Sequence, residues 1–314
     1  MSDQIKDVIM IGAGPSALAA AIYTTREDID TTLYEKSAIG GLAAITDVVD
    51  NYPGFAEGIE GLTLAGHLEK QAERFGAHIE FGDVSAIRDE GGYKVVVSDG
   101  VDVKAKVVLI ATGSDYKKIG VPGEKEFYGR GVHYCATCDG AYYRDKKLVV
   151  VGGGNSALQE TLFLTRYASH IDLLVRSTIK ASEVLQHDLQ KFVDEGKVTI
   201  HLATETQEIV ATDGRVSSVS IVKDGKPETI ETDGVFVFVG LLPNTQFLEG
   251  SGVELDELGL VKTNTHLETN ISGIFASGDV RSGATAQIAS AVGEGATAAL
   301  SIREYLDELA RHAA

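Results

Sequence analysis

Two glycine turns, Gly12-Ala13-Gly14-Pro15-Ser16-Ala17 and Gly152-Gly153-Gly154-Asn155-Ser156-Ala157, each follow a short apolar run and open a helical one. That order predicts an α/β fold with two Rossmann-like dinucleotide-binding domains. Two further observations support the class. The turns belong to an internal repeat of constant offset: Gly12 falls on Gly152, Gly14 on Gly154, Ser16-Ala17-Leu18 on Ser156-Ala157-Leu158, and Thr25-Arg26 on Thr165-Arg166 without a gap. Each turn is also followed by an Asp-Gly hairpin signal, Asp99-Gly100 in one half and Asp224-Gly225 in the other.

The elements follow in order. Residues 7–11 predict a first strand and the helix after the turn runs through Tyr23; residues 31–34 form the second strand and end at Glu35. Extended runs at 93–98 and 101–107 flank the first Asp-Gly and lead into an apolar strand, 107–110, that stops at Ala111-Thr112-Gly113. In the second half, strand 147–151 precedes a helix reaching about Tyr167, and runs 216–222 and 228–232 lead into strand 235–239 and Gly240-Leu241-Leu242. Each half is thus a Rossmann-like sheet with a β-meander crossover. A late strand, 273–276, precedes Gly278-Asp279.

Composition limits what such a chain does. An apolar fraction of 44% with 24% charged residues describes a globular protein. A net charge of -18 excludes general nucleic-acid binding, which needs cationic surface to displace counterions. No apolar run approaches the roughly 20 residues of a membrane helix. The polar stretch 1–6 does not resemble a signal peptide, so a cytoplasmic protein without membrane attachment is expected.

The repeat also shows how its two sites differ. Glu35, followed by Lys36, stands about 20 residues beyond the first glycines, where a carboxylate accepts hydrogen bonds from an adenosine ribose diol and repels a 2′-phosphate. It suits FAD or NAD(H); the plain alternative is a solvated strand-end Glu. In the second half Val175 takes that place and Arg176 follows, with Lys180 about a turn later. Cations there suit a 2′-phosphate, although solvated charges at a strand end give the same pattern.

The chain has two cysteines, Cys135 and Cys138. A C-x-x-C pair in a reducing compartment is redox-active, metal-binding, or a pair of inert core thiols. Tetrahedral zinc takes four ligands, no second C-x-x-C exists, and His133 alone does not complete a site. Redox chemistry is therefore expected. Asp139, next to Cys138, would relay a proton as thiolate and flavin exchange electrons, since disulfide reduction takes two electrons and two protons; as a surface-loop carboxylate it would be unremarkable.

Together these residues resemble the low-molecular-weight thioredoxin reductases over essentially the whole chain. The resemblance lies in Gly12-Ala13-Gly14-Pro15, Gly40-Gly41, Asn51-Tyr52-Pro53-Gly54, Ala111-Thr112-Gly113, Cys135-Ala136-Thr137-Cys138-Asp139-Gly140, Gly152-Gly153-Gly154-Asn155-Ser156-Ala157 and Gly278-Asp279-Val280. It implies two three-layer ββα sandwiches, one inserted into the other. Residues 1–116 and 247–314 would bind FAD; residues 117–246 would carry the redox disulfide and an NADPH site at Gly153, Gly154, Asn155, Ser156, Arg176 and Lys180. Asp279 and the backbone of Gln287, Ile288 and Ala289 would hold the flavin, with Val84 near the adenine. Also implied are a homodimer, a thioredoxin-like protein as substrate, Cys138 as the flavin's partner and Cys135 as the attacker of the substrate disulfide. Nucleotide and disulfide would then reach one flavin by a domain rotation hinged near 116–118 and 242–245.

Three positions depart from the family pattern. Its Gly-Gly-Gln is Gly40-Gly41-Leu42 here, its Arg-Gln pair is Ala286-Gln287, and its 2′-phosphate motif His-Arg-Arg-x-x-x-Arg is reduced to the stretch around Arg176 and Lys180. A weakened 2′-phosphate site is expected. The alternatives to the main expectation are a donor other than NADPH such as ferredoxin, a dithiol oxidase, and a non-catalytic redox-sensing flavoprotein.

Overall fold

The computed structural model describes residues 5–46 and 48–313, so most of the polar stretch 1–6 lies outside the described residues. Two compact units form, Met1–Asp115 with Leu242–Ala314, and Tyr116–Leu241.

In the first unit, strand Lys6–Ile11 lies between Thr31–Glu35 and Val101–Ile110, parallel to both, and His78–Phe81 extends the sheet beyond Thr31–Glu35. The other edge of Val101–Ile110 is divided. Its first half pairs antiparallel with Lys94–Ser98, which in turn pairs with Val84–Asp89, and its last three residues pair parallel with Ile274–Ala276. One long strand therefore serves both a parallel sheet and a meander.

Alternation along the first strand sets the layers. Val8 and Met10 pack with Leu18, Leu33, Leu68, Phe275 and Ile302 on the helical side. Ile9 and Ile11 pack with Ile87, Val96 and Val108 on the meander side. Because both faces of the strand are covered from Val8 onward, those four residues, Val8 to Ile11, are a continuous apolar run.

The second unit repeats this plan. Its parallel sheet runs Val132–His133, Gly234–Val237, Lys147–Val151, His170–Leu174, Val198–His201. Leu148 and Val150 face Leu158, Leu164 and Leu189 on the helical side, while Val149 and Val151 face Ile209, Val219 and Ile221 of the meander Thr204–Thr212, Arg215–Lys223, Lys226–Glu231. Two Rossmann-like units in ββα layers, one inserted in the other's chain, are thus the observed fold class.

The repeat extends to single hydrogen bonds. Gly12 N–H donates to Tyr34 O at 2.8 Å, and Gly152 N–H to Leu174 O at 3.0 Å; Gly40 N–H donates to Ala13 O at 2.8 Å, and Lys180 N–H to Gly153 O at 2.7 Å. Both Asp-Gly turns have positive φ at each position, 48° and 77° at Asp99-Gly100 and 50° and 74° at Asp224-Gly225, which matches the twist of a two-residue hairpin.

Differences from expectation are at boundaries. The first helix runs Pro15–Thr25, the second ends at Leu164, and the strand expected at 235–239 is Gly234–Val237. Each expected hairpin gains a third strand, Val84–Asp89 or Thr204–Thr212, in which polar and apolar residues are mixed without a clean alternation. At the return crossing Asn244 accepts from Thr112 Oγ1 at 2.7 Å and donates to the Thr112 carbonyl at 3.0 Å.

Candidate active site

The first glycine turn is closed from below. A Cβ at Gly12, where φ is +98°, would lie 2.6 Å from the Ala111 carbonyl, so the turn rests directly on the end of the neighbouring strand. Gly14, at the cap of helix Pro15–Thr25, has no side-chain cap and nothing within 4 Å of its Cβ position. Uncapped N–H groups above open space make an anion cradle.

Glu35 is buried at the end of its strand. Its carboxylate accepts the N–H of Ala13 at 2.9 Å and that of Ser37 at 2.9 Å, so it braces the turn and is not a solvated strand-end charge. Lys36 beside it is exposed. These residues fit a dinucleotide whose pyrophosphate meets the helix and whose ribose reaches a carboxylate.

Other expected residues gather around the cradle. Gly41 opens the short helix Gly41–Ala44, which contains Leu42, and its Cβ position is 3.7 Å from Gly14 Cα; Gly40 sits against Ala65. Ser16 Oγ lies 2.7 Å from Ser277 Oγ, and Gly278 follows with its Cβ position 3.0 Å from Ser16 Cβ. Asn51 Nδ2 donates to Gln287 Oε1 at 3.1 Å, just ahead of Ile288 and Ala289 at the start of helix Ile288–Ala313. Gly113 accepts the Asn244 N–H at 3.1 Å, whereas Val84 is core, packed in one cluster with Tyr34.

Asp279 is held by its backbone: its carbonyl accepts Ser114 Oγ at 2.6 Å. Burial, then the negative charge of Glu294, pushes its carboxyl up to about 6. Glu294 escaped the sequence reading. It accepts the Gly278 N–H at 2.8 Å and pairs with Arg281 at 2.5 Å, so it fixes the turn on which Asp279 sits. No local motif signals it, because its partners lie more than ten residues away.

In the second unit the glycine turn is again uncapped, with nothing within 4 Å of the Gly154 Cβ position at the start of helix Asn155–Leu164, which opens with Asn155 and Ser156. Asn155 Oδ1 accepts the Ser182 N–H at 2.8 Å, tying the helix start to the loop that follows Arg176 and Lys180. Both cations are exposed. Val175, the counterpart of Glu35, is buried against Gly153, whose Cβ position is 2.7 Å from Val175 Cγ1.

Cys135 and Cys138 form a disulfide, with Cα atoms 5.3 Å apart, at the start of the short helix Ala136–Asp139. Bonded to each other, the sulfurs are not available to a metal. The Cys138 N–H donates to Cys135 Sγ at 3.2 Å. Gly140 closes the segment against Leu164, 2.9 Å from its Cβ position.

Asp139 Oδ2 lies 3.3 Å from Nδ1 of His133, and Nε2 of that ring is 2.7 Å from the Tyr143 hydroxyl. His133 is buried because Val132–His133 pairs in parallel register with Val235 and Phe236, so its ring stacks on Phe236, centroids 5.1 Å apart. Burial first, then Asp139 and Asp233, pushes the Tyr143 hydroxyl well above the usual phenol range. Glu160, on the adjoining helix, accepts the N–H of Ala136, and burial pushes its carboxyl up.

Comparison with known proteins defines the class. The family described as "Pyridine nucleotide-disulphide oxidoreductase" matches residues 6–295, and the chain belongs to it. It is an oxidoreductase of that family.

Within the family, its relatives point one way. A Bacillus subtilis protein named thioredoxin reductase is 43% identical over 310 residues, covering 98% of this chain and 96% of the relative. The thioredoxin reductase structure from Streptococcus pyogenes is 37% identical and superimposes with a TM-score of 0.92, covering 98% of this chain and 100% of that one. That from Giardia duodenalis is 31% identical with a TM-score of 0.90, covering 97% and 100%. The resemblance to the low-molecular-weight thioredoxin reductases is borne out.

Proposed function

We propose that this chain is a thioredoxin-disulfide reductase, moving two electrons from a reduced nicotinamide dinucleotide, by way of FAD and the Cys135–Cys138 pair, to the disulfide of a thioredoxin-like protein. The observation that carries this reading is the Cys135–Cys138 disulfide beside Asp139, in the unit that also holds the second glycine turn.

FAD would lie in the first unit, with its pyrophosphate at Gly12, Gly14, Pro15 and Ser16 and a ribose on Glu35. Asp279 and Gln287 stand at the flavin end. When bound, FAD supplies the two-electron chemistry that couples a nicotinamide to a disulfide. The nicotinamide dinucleotide would lie on Gly153, Gly154, Asn155 and Ser156, with Arg176 and Lys180 meeting a 2′-phosphate. The sequence offers Arg176 and Lys180 where the family pattern has three Arg beside a His, which would make that site weaker for NADPH.

In the substrate step the Cys135 thiolate attacks the partner's disulfide, and Asp139 gives a proton to the partner sulfur that leaves. The Cys138 thiolate then attacks Cys135, releasing the reduced partner and re-forming the Cys135–Cys138 bond. A homodimer, a cytoplasmic setting and domain limits near 116/117 and 246/247 belong to the same reading. Among the described residues no helix is long and apolar enough to cross a membrane.

Anaerobic titration with NADPH, NADH and reduced ferredoxin, following flavin bleaching and then thioredoxin thiols, tests the proposal. Bleaching by NADPH with stoichiometric thioredoxin reduction is expected. Bleaching by ferredoxin alone, or bleaching without any thioredoxin thiols, would overturn it. No observation favours the ferredoxin, dithiol-oxidase or redox-sensing alternatives.

A further inference from the structure

We propose that His133 is a positioning residue for Asp139, and that the two side chains share and move one proton during disulfide exchange. The inference rests on the proposed activity and extends it to a residue that activity does not require.

The geometry is a chain of three groups. Nδ1 of His133 faces Asp139 Oδ2 at 3.3 Å, and Nε2 faces Tyr143 Oη at 2.7 Å. Phe236 stacks on the ring at 5.1 Å and Tyr143 meets it edge-on at 5.3 Å, so the imidazole is fixed in orientation. The other titratable groups nearby are Tyr128, which feels the Asp139 charge, Asp233, which acts on Tyr143, and Glu160, beside Ala136 on the next helix.

Tyr143 makes the arrangement serve both protonation states. Its hydroxyl stays protonated because burial disfavours the phenolate. A hydroxyl accepts from an imidazolium Nε2–H and donates to a neutral Nε2, so the buried ring keeps its partner when its charge changes. A plain carboxylic acid loses its proton near pH ~4 and an imidazole near ~6.5. A donor working near neutral pH must still hold its proton there, which an imidazole does over a wider range than a carboxyl.

The proton balance closes over one exchange. As Cys135 attacks, the partner's first sulfur leaves and takes the pair's one proton, handed from the His133 imidazolium through the Asp139 carboxylate. The pair is left as carboxylate and neutral imidazole. As Cys138 attacks Cys135 in turn, the mixed disulfide breaks, the second partner sulfur leaves as a thiolate, and the Cys138 thiol proton passes to the same pair. One proton has moved from the enzyme dithiol to the partner, and the pair is recharged.

The test compares wild type, His133→Phe, Tyr143→Phe, Asp139→Asn and the double variant His133→Phe/Asp139→Asn, all as flavin-loaded enzyme. His133→Phe keeps the ring packing, and Tyr143→Phe leaves His133 itself intact should the first variant fold poorly. The expected kcat/KM for thioredoxin in His133→Phe is about tenfold below wild type at pH 6, inside the range of general acid–base effects, and approaches wild type at pH 8, where an imidazole has also lost its proton. The double variant should be no slower than Asp139→Asn alone, since the two residues act as one unit. Independently, the pH midpoint for iodoacetamide alkylation of the reduced cysteines should rise by about one unit in His133→Phe, as expected when a thiol loses its proton acceptor. An equal loss at every pH, or unmoved alkylation midpoints, would overturn the proposal. If wild type reduces no thioredoxin, the proposed activity fails, and alkylation still decides the role of His133.

Discussion

Replacing Glu35 tests the first site, because its carboxylate serves both the fold itself and the ligand. In Glu35→Ala the Ala13 N–H loses its acceptor at 2.9 Å; Ala13 is fully buried, so no water replaces it. An orphaned buried donor costs roughly 1–3 kcal/mol. Ser37 is exposed and its N–H returns to water at little cost. The flavin-free variant should therefore be about 2 kcal/mol less stable in urea unfolding, nearly all of it through Ala13. FAD binding should weaken further, by at least about tenfold in Kd from quenching of flavin fluorescence, because each lost charge-assisted bond to the ribose is worth roughly 1.5–3 kcal/mol. Glu35→Gln, which keeps an acceptor oxygen, should recover most of the stability and only part of the affinity. Unchanged apo stability in Glu35→Ala would refute the bracing role, and unchanged FAD affinity would refute the ribose contact.

The other expectations concern the donor site, a buried carboxyl and the cysteines. Ser177→Arg adds a cation next to exposed Arg176, so the KM for NADPH should fall about 10- to 100-fold, one charge-assisted contact, while NADH is unmoved because buried Val175 offers its ribose no acceptor. A wild type that already saturates at low micromolar NADPH with strong discrimination would contradict the weakened site. Asp279 is raised from 3.8 to about 6, so the fold holds its proton more tightly than the unfolded chain, and its contribution to stability is lost as pH rises through about 6. Asp279→Asn should then gain over wild type between pH 4 and 6 and level off above, by up to about 3 kcal/mol in apo-protein unfolding; a gap that does not change with pH contradicts the assignment. Cys135→Ser and Cys138→Ser should each abolish thioredoxin reduction while flavin stays bound and reducible by the donor. Loss of flavin reduction in both would reverse the order of electron flow.

The sequence alone determined the fold class and the two glycine turns, because both are local. Glycines between an apolar strand and a helix answer to backbone geometry within a few residues, and the repeat supplied the second copy in register as far as Lys180 against Gly40. The C-x-x-C pair and Asp139 were legible for the same reason. What tertiary structure decided depends on partners distant in the chain. Glu35 became a brace because Ala13, 22 residues away, offers its N–H. Asp279 acquired its raised carboxyl from burial and from Glu294, on a helix that begins after it. His133, which spacing alone left as an incomplete metal ligand, lies against Asp139 and Tyr143 because strand pairing with Val235 and Phe236 buries it there. Burial and charge proximity are properties of the folded chain, and no window of sequence contains both members of such a pair.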